Sequence, residues 1–285
     1  MDNSQSAFSG VASVRDIALA EWKECFRELE SVQNEFLLQE PHFRSLAYAS
    51  HWLSDALHTW SRVWEYPYVY RNLLNLQERG ILSRHPVIAD VGSGVTFFPF
   101  ALARRGFRVL CVDHDPVCRE DMDKAVRVVS AGPGSISSFT STSTTIPLPD
   151  QSTDGVVCIS VLEHVREPGP LVRELHRILS PGGVCFITID LDLKGTLAIG
   201  PGEHAALMES IMSEFTLLYQ ERTVHPALIL RSDSGPFPMH QPKRISIWRY
   251  QIQERIVGRM LGKPAGVVPV RALLAVQGLA LQKPR

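Results

Sequence analysis

The sequence predicts an α/β fold, a doubly wound and mostly parallel sheet with a helical layer at its N-terminal side. Three observations predict it. From Pro86 onward, short β-branched runs alternate with helix-like segments, the pattern of parallel strands joined by crossover helices. Before that, from Ile17 to about Leu82, apolar residues recur every three or four positions. The 285 residues are long for one small domain and short for two full ones, which suits a single α/β core with an appended helical segment.

The helical layer is read from Leu19, Trp22, Phe26, Leu29 and Val32, and from a second run after Pro41 that carries Leu46, Trp52, Leu53, Leu57 and Trp60. It ends in the aromatic stretch Trp64 to Tyr70, where Tyr66-Pro67 reads either as a helix-terminating turn or as part of a lid over a ligand cleft. Residues 1–15 are small and polar and are expected to fray. The expected division is thus a helical lid or cap over 1–82 and a core over 83–285, with a helical insertion near 226–262.

In the core, strands are expected at Val87–Val91, Arg108–Val112, Ile136–Thr140, Gly155–Ser160 and Val184–Ile189. Helices are expected at Phe97–Arg105, Pro116–Val129 and Gly169–Leu179, with Asp115 as an N-cap and Ser180-Pro181-Gly182-Gly183 as a turn. Glu203–Phe215 and Ile245–Leu261 read as helices, Thr216–Val224 as a strand, and Leu273–Gln282 as the closing strand.

Composition narrows the function classes. Hydrophobic residues make up 45% and charged residues 21%, a globular balance. With 29 basic and 30 acidic residues, the formal net charge is −1, which offers no electrostatic grip on a nucleic-acid backbone. The five cysteines match no zinc spacing, and three lie in apolar runs, as expected of reduced thiols in a cytoplasmic protein. Neither a signal peptide nor a membrane-length apolar run is visible, so no membrane partner is expected.

The most informative local feature is the turn Asp90-Val91-Gly92-Ser93-Gly94, placed between a strand and a helix. Two glycines let the backbone turn sharply and approach a ligand. A dinucleotide fingerprint would need a third glycine where Phe97 stands, so a cofactor lacking a pyrophosphate fits better. Asp113 ends the next strand, 21 residues after Gly92, the position from which a carboxylate accepts both ribose hydroxyls.

Taken with these two signals, Ile146 to Val157, Val161-Leu162-Glu163-His164-Val165 and Leu179-Ser180-Pro181-Gly182-Gly183 follow in an order that resembles class I S-adenosylmethionine-dependent methyltransferases. The resemblance is firm over about residues 86–190. It implies a Rossmann-like sheet of seven strands with an antiparallel terminal hairpin, and S-adenosyl-L-methionine as cofactor. It also implies that Asp90, Gly92, Ser93 and Gly94 hold the methionine portion and that Asp113 binds the ribose. Thr142 and Ser143 stand where such enzymes often carry an acidic residue for the adenine. Ser160 and Val161 would lie beside the sulfonium.

The residues themselves suggest further candidates. Tyr66 can cover a sulfonium with its ring, and Arg62 or Arg71, with Arg71 preferred, can pair with the cofactor carboxylate. His164 titrates near neutrality and is the candidate general base, against a purely turn-shaping role. Asp190, at the carboxyl end of a strand, is the candidate to orient a substrate hydroxyl; no metal is expected from two aspartates alone. The function expected is methyl transfer to a small molecule, with O-methylation in secondary metabolism or sugar modification foremost. A non-methyl reaction of the same cofactor and a non-catalytic binding module are the alternatives. A hydride-transfer enzyme is disfavoured by Phe97. The oligomeric state is open, a homodimer being one candidate.

Overall fold

The structure is a computed structural model and describes residues 7–49, 54–142, 145–194, 199–239 and 273–285. The expected helix Ile245–Leu261 lies outside the described residues, as do Trp52, Leu53 and Ser143. Within the expected insertion, residues 226–239 hold one 3-10 turn, Pro226–Leu228, and isolated bridges at Ile229 and Arg231.

Five parallel strands form the centre of the sheet: β2 (Val87–Val91), β3 (Arg108–Asp113), β4 (Ser135–Thr140), β5 (Thr153–Ile159) and β6 (Leu179–Asp192). Their spatial order is β4-β3-β2-β5-β6. Between them run α4 (Phe98–Arg104), α5 (Pro116–Val128) and α6 (Pro168–Ile178), so the sheet is doubly wound. The strand order reverses at β2, with β3 on one side and β5 on the other. In an open sheet that is where a ligand cleft opens at the carboxyl ends.

Beyond β6, the strand β9 (Leu274–Gln282) pairs antiparallel from Val184↔Gln282 to Asp192↔Leu274. The strand forms where expected, but it does not close the sheet, because two further strands lie beyond it. The helix α7 (Pro201–Glu214) and two short strands, β7 (Thr216–Leu217) and β8 (Glu221–Arg222), lie between β6 and β9 in sequence. The single strand expected over Thr216–Val224 is therefore split, with β7 on β9 and β8 on an N-terminal strand.

That N-terminal strand, β1 (Ser9–Val11), corrects the expectation of a frayed end. It pairs antiparallel with β9 and parallel with β8, and brings the sheet to nine strands rather than seven. Ser9 Oγ accepts from the Ala280 amide at 3.0 Å, and the Tyr68 hydroxyl donates to the Phe8 carbonyl at 2.7 Å. Three residues of Ser-Gly-Val carry too little pattern for a strand to be read locally; the partner strand supplies the order.

The helical layer consists of α1 (Ala20–Gln39), the short α2 (Leu46–Ala49) and α3 (Arg62–Glu78). Helix α1 buries Trp22, Cys25, Leu29, Val32 and Phe36, one stripe at steps of three and four. Helix α3 runs through Pro67 instead of stopping there. Proline at this position leaves the Val63 carbonyl without its helical donor, and the Trp22 indole N–H donates to that carbonyl at 3.4 Å. Helix α1 thus supplies the donor that the backbone of α3 lacks. Their apolar residues share one continuous cluster with Phe97, Phe100, Phe186 and Val276 of the core. The five cysteines are free and buried. Among the described residues, no helix is long and apolar enough to cross a membrane.

Candidate cofactor and active site

A cavity of about 580 Å³ opens at the carboxyl ends of β2, β3 and β5, within the range of roughly 300–1,000 Å³ common for ligand sites. Its floor is the glycine turn. Gly92 (φ +75°) and Gly94 (φ +54°) both adopt left-handed backbone, which glycine takes without a Cβ clash. A Cβ on Gly92 would sit 2.3 Å from Val161 Cγ2, and one on Gly94 would sit 2.9 Å from the Tyr48 hydroxyl. The turn is held from below, where the Gly92 amide donates to the Val112 carbonyl at 2.7 Å.

Asp113 ties this turn to the next strand. Its Oδ2 accepts from the Gly94 amide at 2.9 Å, and its Oδ1 accepts from the Asp115 amide at 3.0 Å. Asp115 also caps α5, accepting from the Val117 amide at 2.9 Å, as expected. Asp90 is buried beneath the turn; burial first, then the neighbouring Asp113, pushes its carboxyl up to about 7, with Arg62 acting against them.

Of the expected cofactor residues, Asp90, Gly92, Ser93, Gly94, Asp113, Thr142, Ser160, Val161 and Tyr66 all line this cavity, and so does His164. Arg71 does not. It lies further along α3, paired with Glu21 at 2.8 Å and stacked over Trp22 at 5.5 Å. The arginine that reaches the cavity is Arg62, two helical turns earlier. Spacing along α3 could not choose between them, because the answer depends on which end of the helix meets the strand ends.

Tyr66 packs on Phe98 with ring centroids 4.8 Å apart and edge-on to Phe97 at 5.2 Å. Phe97, the residue that breaks the dinucleotide pattern, is thus the buried support of an aromatic cavity wall. Tyr48 was not anticipated. Its hydroxyl accepts from the Val95 amide at 2.8 Å, so α2 clasps the glycine turn. Periodicity marks apolar faces and carries no signal for such a distant polar contact.

Opposite the glycine turn stands a buried charged cluster. Ser160 follows β5 with φ +48°, a left-handed backbone unusual for serine. Arg62 Nη1 donates to Ser160 Oγ at 2.6 Å, Ser160 Oγ donates to Glu65 Oε1 at 2.7 Å, and Thr188 Oγ1 donates to the same oxygen. Arg62 also pairs directly with Glu65. Burial works against the Glu65 charge, but Arg62 and these hydrogen bonds hold its pKa below the usual value. Glu65 is therefore a sealed carboxylate that fixes both Arg62 and the strained Ser160. Burial first, then Arg62, holds the His164 pKa below the usual histidine value.

Asp190 lies on β6, not in the cavity lining, and its backbone amide donates to Glu163 Oε1 at 3.2 Å. Burial and the Glu65 and Glu163 charges raise its pKa well above the ordinary aspartate value. Among the described residues, no group of three or more His, Cys, Asp or Glu side chains is arranged to hold a metal.

Residues 89–187 match the family model described as a methyltransferase domain. An uncharacterized methyltransferase of Mycobacterium sp. (strain JLS) is 33% identical over 121 residues, covering 41% of this chain and 42% of the relative. One from Mycobacterium ulcerans (strain Agy99) is 30% identical over 155 residues, covering 53% and 56%. The chain thus spans about half the length of the relatives it matches. Among solved structures, a SAM dependent methyltransferase from Aquifex aeolicus aligns at TM-score 0.41 and 16% identity, over 74% of this chain and 88% of that one. The [4+2]-cyclase SpnF aligns at TM-score 0.49 and 17% identity, over 89% and 95%.

Proposed function

We propose that this chain, whose residues 89–187 match the methyltransferase domain model, transfers a methyl group from S-adenosyl-L-methionine to a small-molecule acceptor, with a hydroxyl oxygen as the foremost nucleophile. The observation that carries this reading is the cradle at Gly92. A single Cβ would fill it, while Asp113 presents its carboxylate at the next strand end. Bound there, the cofactor supplies an electrophilic methyl on a sulfonium.

The chain's own residues do the rest. Asp113 accepts from the ribose hydroxyls. Thr142 stands at the adenine end. Arg62 meets the methionine carboxylate. Asp90 and the Tyr66 ring face the cationic groups, where desolvation strengthens each charge interaction. Ser160, Val161 and His164 border the side from which an acceptor approaches, and positioning there supplies much of the rate. In this reading residues 1–82 act as a lid that excludes water, and the protein works in the cytoplasm.

Calorimetry with S-adenosylmethionine tests the reading, together with detection of S-adenosylhomocysteine after turnover. No binding at millimolar ligand would defeat it. Methylthioadenosine as sole product would replace methyl transfer by another reaction of the cofactor. Asp113→Ala is expected to weaken binding about 100-fold, since it removes a charged acceptor of two hydroxyls at about 1.5 kcal/mol each. It also frees the Gly94 amide.

Affinity is expected to depend on pH through Asp90. Its carboxyl is pushed up to about 7, so below that pH the free protein holds a proton there. Cationic cofactor groups favour the ionised form, so binding must expel this proton. The dissociation constant should rise by up to about tenfold per pH unit below 7 and level off above it. Asp90→Asn should flatten that slope; a slope retained in Asp90→Asn assigns the proton elsewhere.

A further inference from the structure

Arg62 reaches the cavity from the first turn of α3, and the side chains behind it fix its posture. Its Nη1 spends one hydrogen on Ser160 Oγ, at 2.6 Å, and the other on Glu65. The guanidinium lies over the Tyr66 ring, 5.8 Å from its centroid. A guanidinium carries five N–H donors in a rigid fork. With Nη1 committed, the Nε–Nη2 edge is the part left for a ligand, and 25% of the side chain remains accessible.

Glu65 is placed differently. Its side chain is fully buried and does not line the cavity. Oε1 accepts from Ser160 Oγ at 2.7 Å and from Thr188 Oγ1, and Oε2 accepts from Arg62 Nη1. Thr188, buried on β6, accepts the Ser160 amide through its hydroxyl at 3.1 Å. Both carboxylate oxygens are thus supplied with donors. One chain of contacts runs from β6 through α3 to the left-handed Ser160 that follows β5. Against the cost of burial, Arg62 and the two hydroxyls hold the Glu65 pKa below the usual carboxylate value.

A buried ion pair adds little stability, because desolvation offsets its attraction. The Glu65 charge also opposes the pull of Arg62 on any anion in the cavity. What Glu65 supplies is direction. A free arginine side chain would lose its rotamer freedom on meeting a ligand; one already held does not. Asp90 lines the same cavity and feels the Arg62 charge, so an Arg62 released from Glu65 has a second carboxylate to turn to.

We propose that Glu65, braced by Thr188, is a positioning residue that fixes Arg62 with its Nε–Nη2 edge open to the cavity, and so makes the site selective for a ligand bearing a carboxylate. The inference rests on the methyltransferase reading above, in which Arg62 meets the methionine carboxylate, and adds the groups that hold it there. Positioning and simple electrostatics predict opposite signs. Were Glu65 only a charge, its removal would tighten carboxylate binding. As the support of Arg62, its removal weakens that binding and leaves the rest of the ligand unaffected.

Calorimetry with two probes tests this: S-adenosylhomocysteine, and its decarboxylated analogue, which keeps the amine and lacks only the carboxylate. The parent should prefer S-adenosylhomocysteine by about 30-fold or more. Glu65→Met should cut that preference to within about threefold, and Thr188→Val should cut it about fivefold. Thr188→Ser keeps the hydroxyl and should match the parent. The decarboxylated analogue should bind every variant within about threefold of the parent, a result that general loosening of the site would not give. Thr188→Val leaves the Ser160 amide its second acceptor, the Thr188 carbonyl at 3.1 Å, so it carries the test if Glu65→Met does not fold. A preference unchanged or increased in Glu65→Met or Thr188→Val, equal losses with both probes, or a parent that binds both probes equally would overturn the proposal. A parent that binds neither probe would defeat the methyltransferase reading itself.

Discussion

Gly92→Ala is expected to lower S-adenosylmethionine affinity by at least about 100-fold while the protein remains folded. Two costs combine. At φ +75° an alanine is strained by about 1 kcal/mol. The added Cβ would also stand 2.3 Å from Val161 Cγ2 and 3.2 Å from Cγ1, so either the turn or Val161 must move. Both line the cavity, so any relief deforms its floor. Gly80→Ala separates the two costs. Gly80 has φ +70° with nothing within 4 Å of an added Cβ, so that variant should lose about 1 kcal/mol of stability and no affinity. Equal affinities for Gly92→Ala and the parent would mean the cofactor binds elsewhere.

Trp64→Ala is expected to destabilise the protein by about 3–5 kcal/mol, the range for a large aromatic removed from a core. Trp64 is fully buried, stacked on Tyr68 with ring centroids 4.6 Å apart and on Trp22 at 5.8 Å. Its indole N–H donates to Asp16 Oδ2 at 2.8 Å. Asp16 also receives both Arg222 terminal nitrogens at 2.7 Å and the Ser13 amide at 2.9 Å. Removing the indole therefore opens a cavity and loosens the junction of the N-terminal strand, α3 and β8. Urea unfolding reads the loss as a lower midpoint. A change below about 1 kcal/mol would show that the helical layer packs on the core without supporting it.

The legible part of the fold was its centre. The strand Val87–Val91 matched to the residue, and Arg108–Asp113, Ser135–Thr140 and Thr153–Ile159 matched within two residues at each end. These strands are apolar runs bounded by turn residues, so the local pattern is the whole signal. The sixth strand is longer than expected because the Pro181-Gly182-Gly183 turn is absorbed as an irregularity between Leu179 and Val184. Pro67 was read as a possible helix end, yet α3 continues through it because Trp22 supplies the missing donor.

The site divides along the same line. The placement of Asp90, Gly92, Gly94 and Asp113 along one cavity was readable because it arises from backbone shape and strand order, both local in sequence. Arg62 rather than Arg71, the clasp of Tyr48 on Val95, and the Glu65–Ser160–Thr188 network were not. Each joins residues far apart in the chain, and a polar side chain carries no periodic trace of its partner.

The sequence by itself determined that this chain builds a doubly wound sheet with a glycine turn and an aspartate at the next strand end, since spacing along one strand–turn–helix unit dictates them. Only the tertiary structure decided what stands opposite that turn. Helix α3 crosses the strand ends so that Arg62 and Glu65 meet Ser160 and Thr188, and the sheet register sets Glu163 beside Asp190. Burial then changes what those groups are. Burial raises the Asp190 carboxyl well above the ordinary aspartate range and pushes Glu163 up to about 7.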